Sequence, residues 1–560
     1  MRHVRARAAA DPFSPAWSVL AAVLFAMQGA LADAVAELRA ANALAPEDAC
    51  VQGELGLALA ASDDFAGAES ALRAALAARP NDAALRNRLG LVVWKAHRIG
   101  EARAILDAAV ADLGPDTALL MNQALLTNLC GEQDAALAAA DRVVSRSGGD
   151  REALITRLNL LPYHPEGNAA ALRVAADAVG RAFGPAPAAP ERPRDPERRL
   201  RLGLLSGTLC CHPVGWLTIA GIEALPDAGF DLFGYSLRQR EDPIAARFRT
   251  RCATWREMGA ADPASVARII EGDGIDILID LGGYGDGGCP AAVALKPAPV
   301  QIKWVGAQFA TTGLAAMDWM LTDRWETPPG FERFYTERLL RLPDGYVCYD
   351  PPAYAPPVGP PPVLRNGHVT FGCFNNLAKV TDPVLGAWSR IMTALPDARL
   401  QLRTHALGDA AVRATLAARL HGAGIDPGRV EMHGGLPHQA LLEAYGGIDI
   451  ALDPFPYAGG LTVCEALWMG VPVVSLHGDG FAARHGLSHL SNVGLGDWSV
   501  GTVEAYVALA VDRARAPGDL AALRHGLRER VRASPLCDAP RFGRSLAGAL
   551  RLAWREHCAA

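Results

Sequence analysis

No Cys-x-x-Cys pair occurs in the 560 residues, although the chain carries eleven cysteines. Scattered thiols in odd number make neither a disulfide framework nor a zinc ribbon, and they point to a reduced, cytoplasmic setting. Charge of one sign is also scarce. A formal net charge of −6 leaves no basic footprint for nucleic acid and nothing that draws the chain to an anionic membrane. Long apolar runs are missing too: residues 16–27, behind the basic start MRHVRAR, follow the order of a signal peptide but end at Gln28 and Gly29. That is short of the ~20 residues of a membrane span, and the stretch is accounted for by a repeat.

Half the residues are hydrophobic and a fifth are charged, the balance of a folded protein, and at roughly 150 residues per domain the length suggests three or four units. The most informative stretch is 448–474, IDIALDPFPYAGGLTVCEALWMGVPVV. Its spacing predicts a buried strand at 448–452, a Pro/Gly turn at 454–460, a helix from near Thr462 and a second strand at 472–476. Glycines that let the backbone approach a ligand, followed by a helix start with outward N–H groups, make a phosphate site.

In the first third, Pro12, Pro46 and Pro80 stand 34 residues apart, as do Ala34, Ala68, Ala102 and Ala136. Leu55-Gly56-Leu57 returns as Leu89-Gly90-Leu91. This period resembles the tetratricopeptide repeat, a helix pair that must stack on its neighbours to bury its apolar face. A curved α-solenoid is expected over 12–165, its concave face holding a protein, or else serving as a scaffold or dimer interface.

Residues 184–199, PAPAAPERPRDPERR with the preceding glycine, are extended and poor in core formers, and we assign a Pro-rich linker to 166–199. Short apolar runs then alternate with helical spacing: 200–205, 230–235, 275–281 and 300–305, and after a second proline-rich break 369–374, 399–403, 430–433, 448–452 and 471–476. This is the grammar of two Rossmann-like domains, expected at 200–350 and 366–535 and followed by a C-terminal helix at 536–560. A ligand would bind at the carboxyl ends of their strands.

Several ordered motifs sharpen the reading: His212-Pro213-Val214-Gly215, Lys296-Pro297-Ala298-Pro299-Val300-Gln301, Met317-Asp318-Trp319, Phe374-Asn375-Asn376-Leu377-Ala378-Lys379 and Glu465-Ala466-Leu467-Trp468-Met469-Gly470-Val471-Pro472. Together with the repeats this set resembles the family of O-linked N-acetylglucosamine transferases and SPINDLY proteins over nearly the whole chain. The resemblance implies a GT-B-type pair of Rossmann-like domains behind the solenoid. It implies inverting transfer of N-acetylglucosamine from UDP-N-acetylglucosamine to Ser/Thr hydroxyls of a protein. By the same resemblance Lys379 contacts the donor diphosphate, Asn376 lies near it, and Leu461 and Thr462 open the phosphate-binding helix. Glu465 bonds the ribose, Leu436 and His438 edge the base, and His212 and Asp280 stand in the cleft near the acceptor.

No Asp-x-Asp motif of the kind used by metal-dependent sugar transferases is present, so Lys379 and a helix start are expected to handle the diphosphate without a metal. Either His212 or Asp280 could accept the hydroxyl proton. The thiols Cys210 and Cys211 beside His212 lack a second ligand pair for zinc. Four departures from the family pattern stand out: Tyr284 and Leu441 replace histidines, the glycine-rich run reads Gly306-Ala307-Gln308-Phe309-Ala310-Thr311-Thr312-Gly313, and the helix start reads Gly460-Leu461-Thr462-Val463. GDP-fucose or a CMP-nonulosonate used on flagellin therefore stay open as donors, as does a catalytically weak scaffold.

Overall fold

A computed structural model describes residues 14–27, 30–114, 116–259, 261–285 and 287–560. Pro12 lies outside the described residues. Helix pairs Pro15–Met27 with Leu31–Leu44, Ala49–Ala61 with Phe65–Ala78, Ala83–Lys95 with Ile99–Leu113, and Thr117–Leu129 with Gln133–Arg146 stack in order. The apolar stretch behind the basic start is thus a helix of the first pair. Ala34, Ala68, Ala102 and Ala136 are fully buried where paired helices cross. A Cβ on Gly56 would stand 2.7 Å from Leu72 Cγ, and one on Gly90 2.6 Å from Leu106 Cδ2, which explains the recurring Leu-Gly-Leu. Asp48, Asp82, Asp116 and Asp150 share the 34-residue spacing, and each caps the next helix by accepting N–H bonds in its first turn. Each such cap contributes about 1 kcal/mol.

The structure corrects the linker. Residues Ala169–Phe183, assigned to it above, form a helix that buries Leu172, Ala175, Ala176 and Val179. Its apolar spacing belongs to a further helix pair with Arg151–Leu160, and only the proline-rich 184–199 is extended. That strand of chain is itself pinned: Arg198 Nη1 donates to Asp276 Oδ2 at 2.8 Å, and Trp554 Nε1 donates to the Asp195 carbonyl at 3.0 Å.

The first sheet comprises β1 (Leu200–Ser206), β2 (Phe230–Ser236), β3 (Thr254–Glu257), β4 (Ile277–Asp280), β5 (Val300–Lys303), β6 (Trp319–Asp323) and β7 (Arg338–Leu342), all parallel, in the order 3-2-1-4-5-6-7. The second comprises β8 (Thr370–Cys373), β9 (Arg399–Arg403), β10 (Val430–His433), β11 (Ile450–Leu452), β12 (Val473–Leu476) and β13 (Ser499–Val500), in the order 10-9-8-11-12-13. Each sheet reverses its strand order at one point, β1/β4 and β8/β11, and such switch points open the crevices where α/β sheets bind ligands. The closing helix Ala539–Ala559 crosses back onto the first unit, with Phe542 stacked on Trp304 at 6.1 Å. Strands β3, β6, β7 and β13 were not among the expected ones.

The helix Ala169–Phe183 touches the first unit so closely that a Cβ on Gly180 would lie 2.0 Å from the Gly313 carbonyl oxygen. Backbone cannot yield there as a side chain would, so Gly180→Ala should cost about 1–3 kcal/mol. In thermal unfolding it should melt below the wild type. Gly526→Ala, whose new methyl meets nothing within 4 Å, should match the wild type or exceed it. Equal melting of the two variants would mean that the helix does not dock on Gly313.

Candidate functional site

At the β8/β11 switch point two strand ends each deliver a turn. Beyond β8 the chain passes Asn375 and Asn376 into a single 3-10 turn, Leu377–Lys379. Beyond β11 it passes Asp453 and the turn to Gly460, then enters the helix Leu461–Trp468, whose start no side chain caps. Asp453, 1% exposed, folds beneath its own turn: Oδ1 accepts from Gly459 N at 2.7 Å and Oδ2 from Ser475 Oγ at 2.8 Å. Only glycine fits at 459, since a Cβ would stand 2.4 Å from Thr462 Oγ1 and 2.9 Å from Asp453 Oδ1.

The two turns are tied together. Thr462 Oγ1 donates to Asn375 Oδ1 at 3.0 Å, and Thr381 Oγ1 donates to the Phe455 carbonyl at 3.1 Å. Lys379 reaches across: Nζ donates to the Ala458 carbonyl at 2.8 Å and lies 4.1 Å from the centroid of the Tyr457 ring. Burial lowers the Lys379 ammonium to about 8, against the pull of the Asp453 charge. Burial likewise raises the Asp453 carboxyl to about 6, opposed by Ser475, Gly459 N–H and Lys379. A desolvated cation facing an uncapped helix start is a site for an anion with two or more phosphate oxygens to share. Asn376 points outward and accepts from Ala378 N at 3.0 Å, so it caps the lysine's turn while the buried Asn375 faces Thr462.

Glu465, 2% exposed on the same short helix, has Oε1 2.8 Å from His438 Nε2, and His438 Nδ1 is 2.7 Å from the Tyr354 hydroxyl. The imidazole also packs on Trp216, 5.4 Å between centroids. Trp216 sits in the helix Pro213–Ile222 of the first unit, so this chain of groups spans the cleft. Leu436 lines a cavity of about 340 Å³ with Leu441, Asn376 and Arg403, closed on the other side by Trp94 and His97 of the repeats.

Across the cleft, the β1/β4 switch point holds a second cavity, of about 430 Å³, lined by Gly207, Cys210, His212, Arg238, Arg240 and Gly282 among others. His212 is the N-cap of the helix Pro213–Ile222, its Nδ1 accepting from Val214 N at 3.3 Å. A neutral imidazole that accepts at Nδ1 carries its proton on Nε2. Asp280 turns inward. Its Oδ1 accepts from Gly282 N and Gly283 N at 3.0 and 2.9 Å, and Oδ2 is 3.9 Å from the buried Lys303 Nζ.

The profile of glycosyl transferase family 41 matches residues 185–353 and 363–546, both Rossmann-like units. The chain belongs to glycosyl transferase family 41. Over 373 residues, 65% of this chain, it is 38% identical to the probable UDP-N-acetylglucosamine–peptide N-acetylglucosaminyltransferase SPINDLY of Petunia hybrida, and 36% identical over 373 residues to the protein of the same description from Arabidopsis thaliana. The chain spans about two fifths of the length of these curated relatives, 40% of each. A solved mutant of the Thermobaculum terrenum O-GlcNAc transferase aligns with TM-score 0.86 at 34% identity, covering 91% of this chain and 98% of that one. The resemblance drawn from the motifs, and the solenoid followed by two Rossmann-like domains, therefore hold.

Two of the family-pattern departures prove to be structural. Tyr284 is buried and its hydroxyl donates to the Thr312 carbonyl at 2.7 Å. Gln308 Nε2 donates to the Leu321 carbonyl at 2.7 Å, and Thr311 Oγ1 donates to Glu337 at 2.6 Å. Leu441 and Leu461, by contrast, stay partly exposed, Leu441 in the 340 Å³ cavity and Leu461 at the helix start. Asp453 and Tyr457 were not singled out from the sequence. For Asp453 a signal existed, an acid one residue past a buried strand at the head of a glycine turn.

A charge pair tuned by burial makes anion affinity depend on pH with a definite sign. Binding a diphosphate ester favours charged Lys379, so affinity should be flat below about 8 and fall by up to tenfold per unit above it. Asp453→Asn removes the charge that helps hold the lysine's proton and should move that midpoint downward. Calorimetric titration across the range checks both; a midpoint that is the same in the variant would detach Asp453 from Lys379.

Proposed function

We propose that this family 41 chain is an inverting glycosyltransferase that moves N-acetylglucosamine from UDP-N-acetylglucosamine to serine or threonine hydroxyls of a protein held by the helical repeats. The observation that carries the reading is the desolvated Lys379 ammonium opposite the open start of the helix Leu461–Trp468, both at the β8/β11 switch point. The descriptions of the Petunia and Arabidopsis relatives support the donor and the peptide acceptor. No helix among the described residues is long and apolar enough to cross a membrane, and eleven free thiols suit a reducing cytoplasm.

In the proposed reaction the hydroxyl oxygen of the acceptor attacks the anomeric carbon from the face opposite the diphosphate. The new C–O bond forms as the bond to the phosphate oxygen breaks, its electron pair leaves with the nucleoside diphosphate, and the configuration inverts. Lys379, Thr462 and the first N–H groups of the helix stabilise the negative charge that grows on the departing phosphate. Glu465 keeps one carboxylate oxygen on His438 and offers the other to the ribose. Leu436 and His438 edge the base, and Asn376 holds the lysine's turn.

His212, the N-cap of the helix Pro213–Ile222, lines the cavity at the β1/β4 switch point beside the acceptor, and Asp280 keeps the Gly282–Gly283 turn in place. Neither geometry favours a strong base. The hydroxyl proton is lost late, to water on the acceptor side of the cleft, once the anomeric carbon carries most of the positive charge. A second reading, the same transfer with GDP-fucose or a CMP-nonulosonate, is favoured by the apolar Leu441 and Leu461 on the donor side.

Incubation of the full chain with a panel of UDP-, GDP- and CMP-sugars, following nucleotide release, tests the function. Lys379→Ala should lose a charge-assisted contact of roughly 1.5–3 kcal/mol, about one to two decades in turnover. Full turnover and unchanged donor affinity in that variant would refute the assignment. A chain that binds no nucleotide at all would be a scaffold.

A further inference from the structure

The helical repeats reach the donor site directly. Gln133, 5% exposed, stands at the start of the repeat helix Gln133–Arg146. Its Nε2 donates to the Ala378 carbonyl at 2.7 Å and lies 3.4 Å from the Val380 carbonyl. Those two carbonyls bracket Lys379. We infer that Gln133 is a positioning residue of the donor site, a side-chain amide from the solenoid that fixes the backbone on either side of the phosphate-binding lysine. The inference rests on the donor role of Lys379 given above.

Packing alone does not call for glutamine there. Burying a carboxamide costs free energy unless its donors are satisfied, and an apolar side chain of the same length would fill the space. The turn Leu377–Lys379 is held by its own backbone bonds, by the burial of Leu377 and Ala378, and by side chains that reach its carbonyls from outside. It is a single 3-10 turn beyond the end of β8, closed by Lys379 N on the Asn376 carbonyl and capped by Asn376. The lysine's tip is anchored by Ala458 and Tyr457, which belong to the other strand end. Gln133 reaches both carbonyls that flank Lys379 and so anchors the base of the side chain, with Arg419 beside it on the Val380 carbonyl.

Neighbouring contacts give the same picture. A Cβ on Gly131, two residues before Gln133, would come within 2.4 Å of Arg419 Nη1 and 3.5 Å of the Leu377 carbonyl, so the repeat's loop lies against this turn. Arg419 Nη2 also donates to the Val380 carbonyl at 3.1 Å. At the other switch point a second repeat carboxamide does the equivalent, Asn159 Nδ2 donating to the Tyr284 carbonyl at 2.9 Å. A shift of the repeat helices, such as an acceptor protein seated on them could impose, is transmitted to Lys379 through Gln133.

The test is a double-mutant cycle on the full chain, read as UDP and GDP affinity by calorimetry. Gln133→Met keeps length and burial but donates nothing, and it should weaken binding of the nucleotide that the wild type takes by about tenfold. In a Lys379→Ala background the same change should have little further effect, because the two act through one group. Gln133→Glu keeps the shape and sets a carboxylate against two carbonyls; its affinity should recover as pH falls and the carboxyl becomes a donor. That variant, with melting followed in parallel, serves if Gln133→Met does not fold.

An equal loss from Gln133→Met with and without Lys379 would overturn the inference, as would no loss while Lys379→Ala still weakens binding. Lys379→Ala without effect would instead remove the donor-site reading on which the inference stands.

Discussion

A half-buried lysine ammonium that among the described residues has no carboxylate in hydrogen-bond contact is the constraint around which this molecule is organised. Its partners are a backbone carbonyl and a tyrosine face, and its nearest countercharge, Asp453, is spent on Gly459 N–H and Ser475. Such a cation is costly at neutral pH, and the depressed Lys379 and elevated Asp453 values express that cost from both sides. An arrangement of this kind persists in a fold when a ligand supplies the missing charge. The surrounding contacts, Asn375 on Thr462, Thr381 on Phe455 and Gln133 on the lysine's own turn, all fix the distance between the cation and the helix start.

The joint between the two Rossmann-like units follows a different rule. Glu326 of the first unit and His485 of the second, both buried, share a 2.8 Å hydrogen bond, with the Tyr346 hydroxyl 3.1 Å from the same ring nitrogen. Burial and the nearby Asp323 push the Glu326 carboxyl well up, while burial, His489 and the Lys379 charge push His485 well down. Both shifts favour the neutral forms of the pair, and across the same joint Ser488 Oγ donates to Asp323 Oδ2 and Arg484 Nε to the Trp325 carbonyl, each at 2.6 Å. His485 also stands edge-on to Tyr457, 6.1 Å between centroids, and Tyr457 carries Lys379 on its face.

What the sequence could reveal depended on whether the governing contact was local. The solenoid was legible because its boundary prolines, crossing alanines and close-approach glycines all recur at 34 residues, so one period carries three kinds of physical information. The strand-end turns were legible because glycine and proline mark them. The helix Ala169–Phe183 was hidden by the prolines that follow it, and β3 by its half-exposed, charged edge position. Gln133 and Ala378 lie 245 positions apart, and nothing in either neighbourhood announces the other. The family departures were ambiguous for the same reason: Tyr284 and Gln308 turn out to be buried and bonded, whereas Leu441 lines a cavity, a distinction that only packing can draw.

The asymmetry between the two switch points bears on how the chemistry divides. At both switch points the acid is folded into its own turn, Asp453 at β8/β11 and Asp280 at β1/β4, but at β8/β11 a buried-stem lysine also meets an uncapped helix start, whereas at β1/β4 the histidine caps a helix. On the proposed function, stabilisation of the leaving group is therefore the part of the chemistry most visibly built into the fold. A transferase of that design asks little of its acceptor beyond a hydroxyl delivered in line. On the proposed function, selection among acceptors would fall to whatever holds the polypeptide near the cleft, and the solenoid, whose helix Gln133–Arg146 also bonds the turn that carries Lys379, is the element placed to do it. Binding an acceptor and placing the charge of Lys379 would then be one mechanical problem, because the same repeat helices would take part in both.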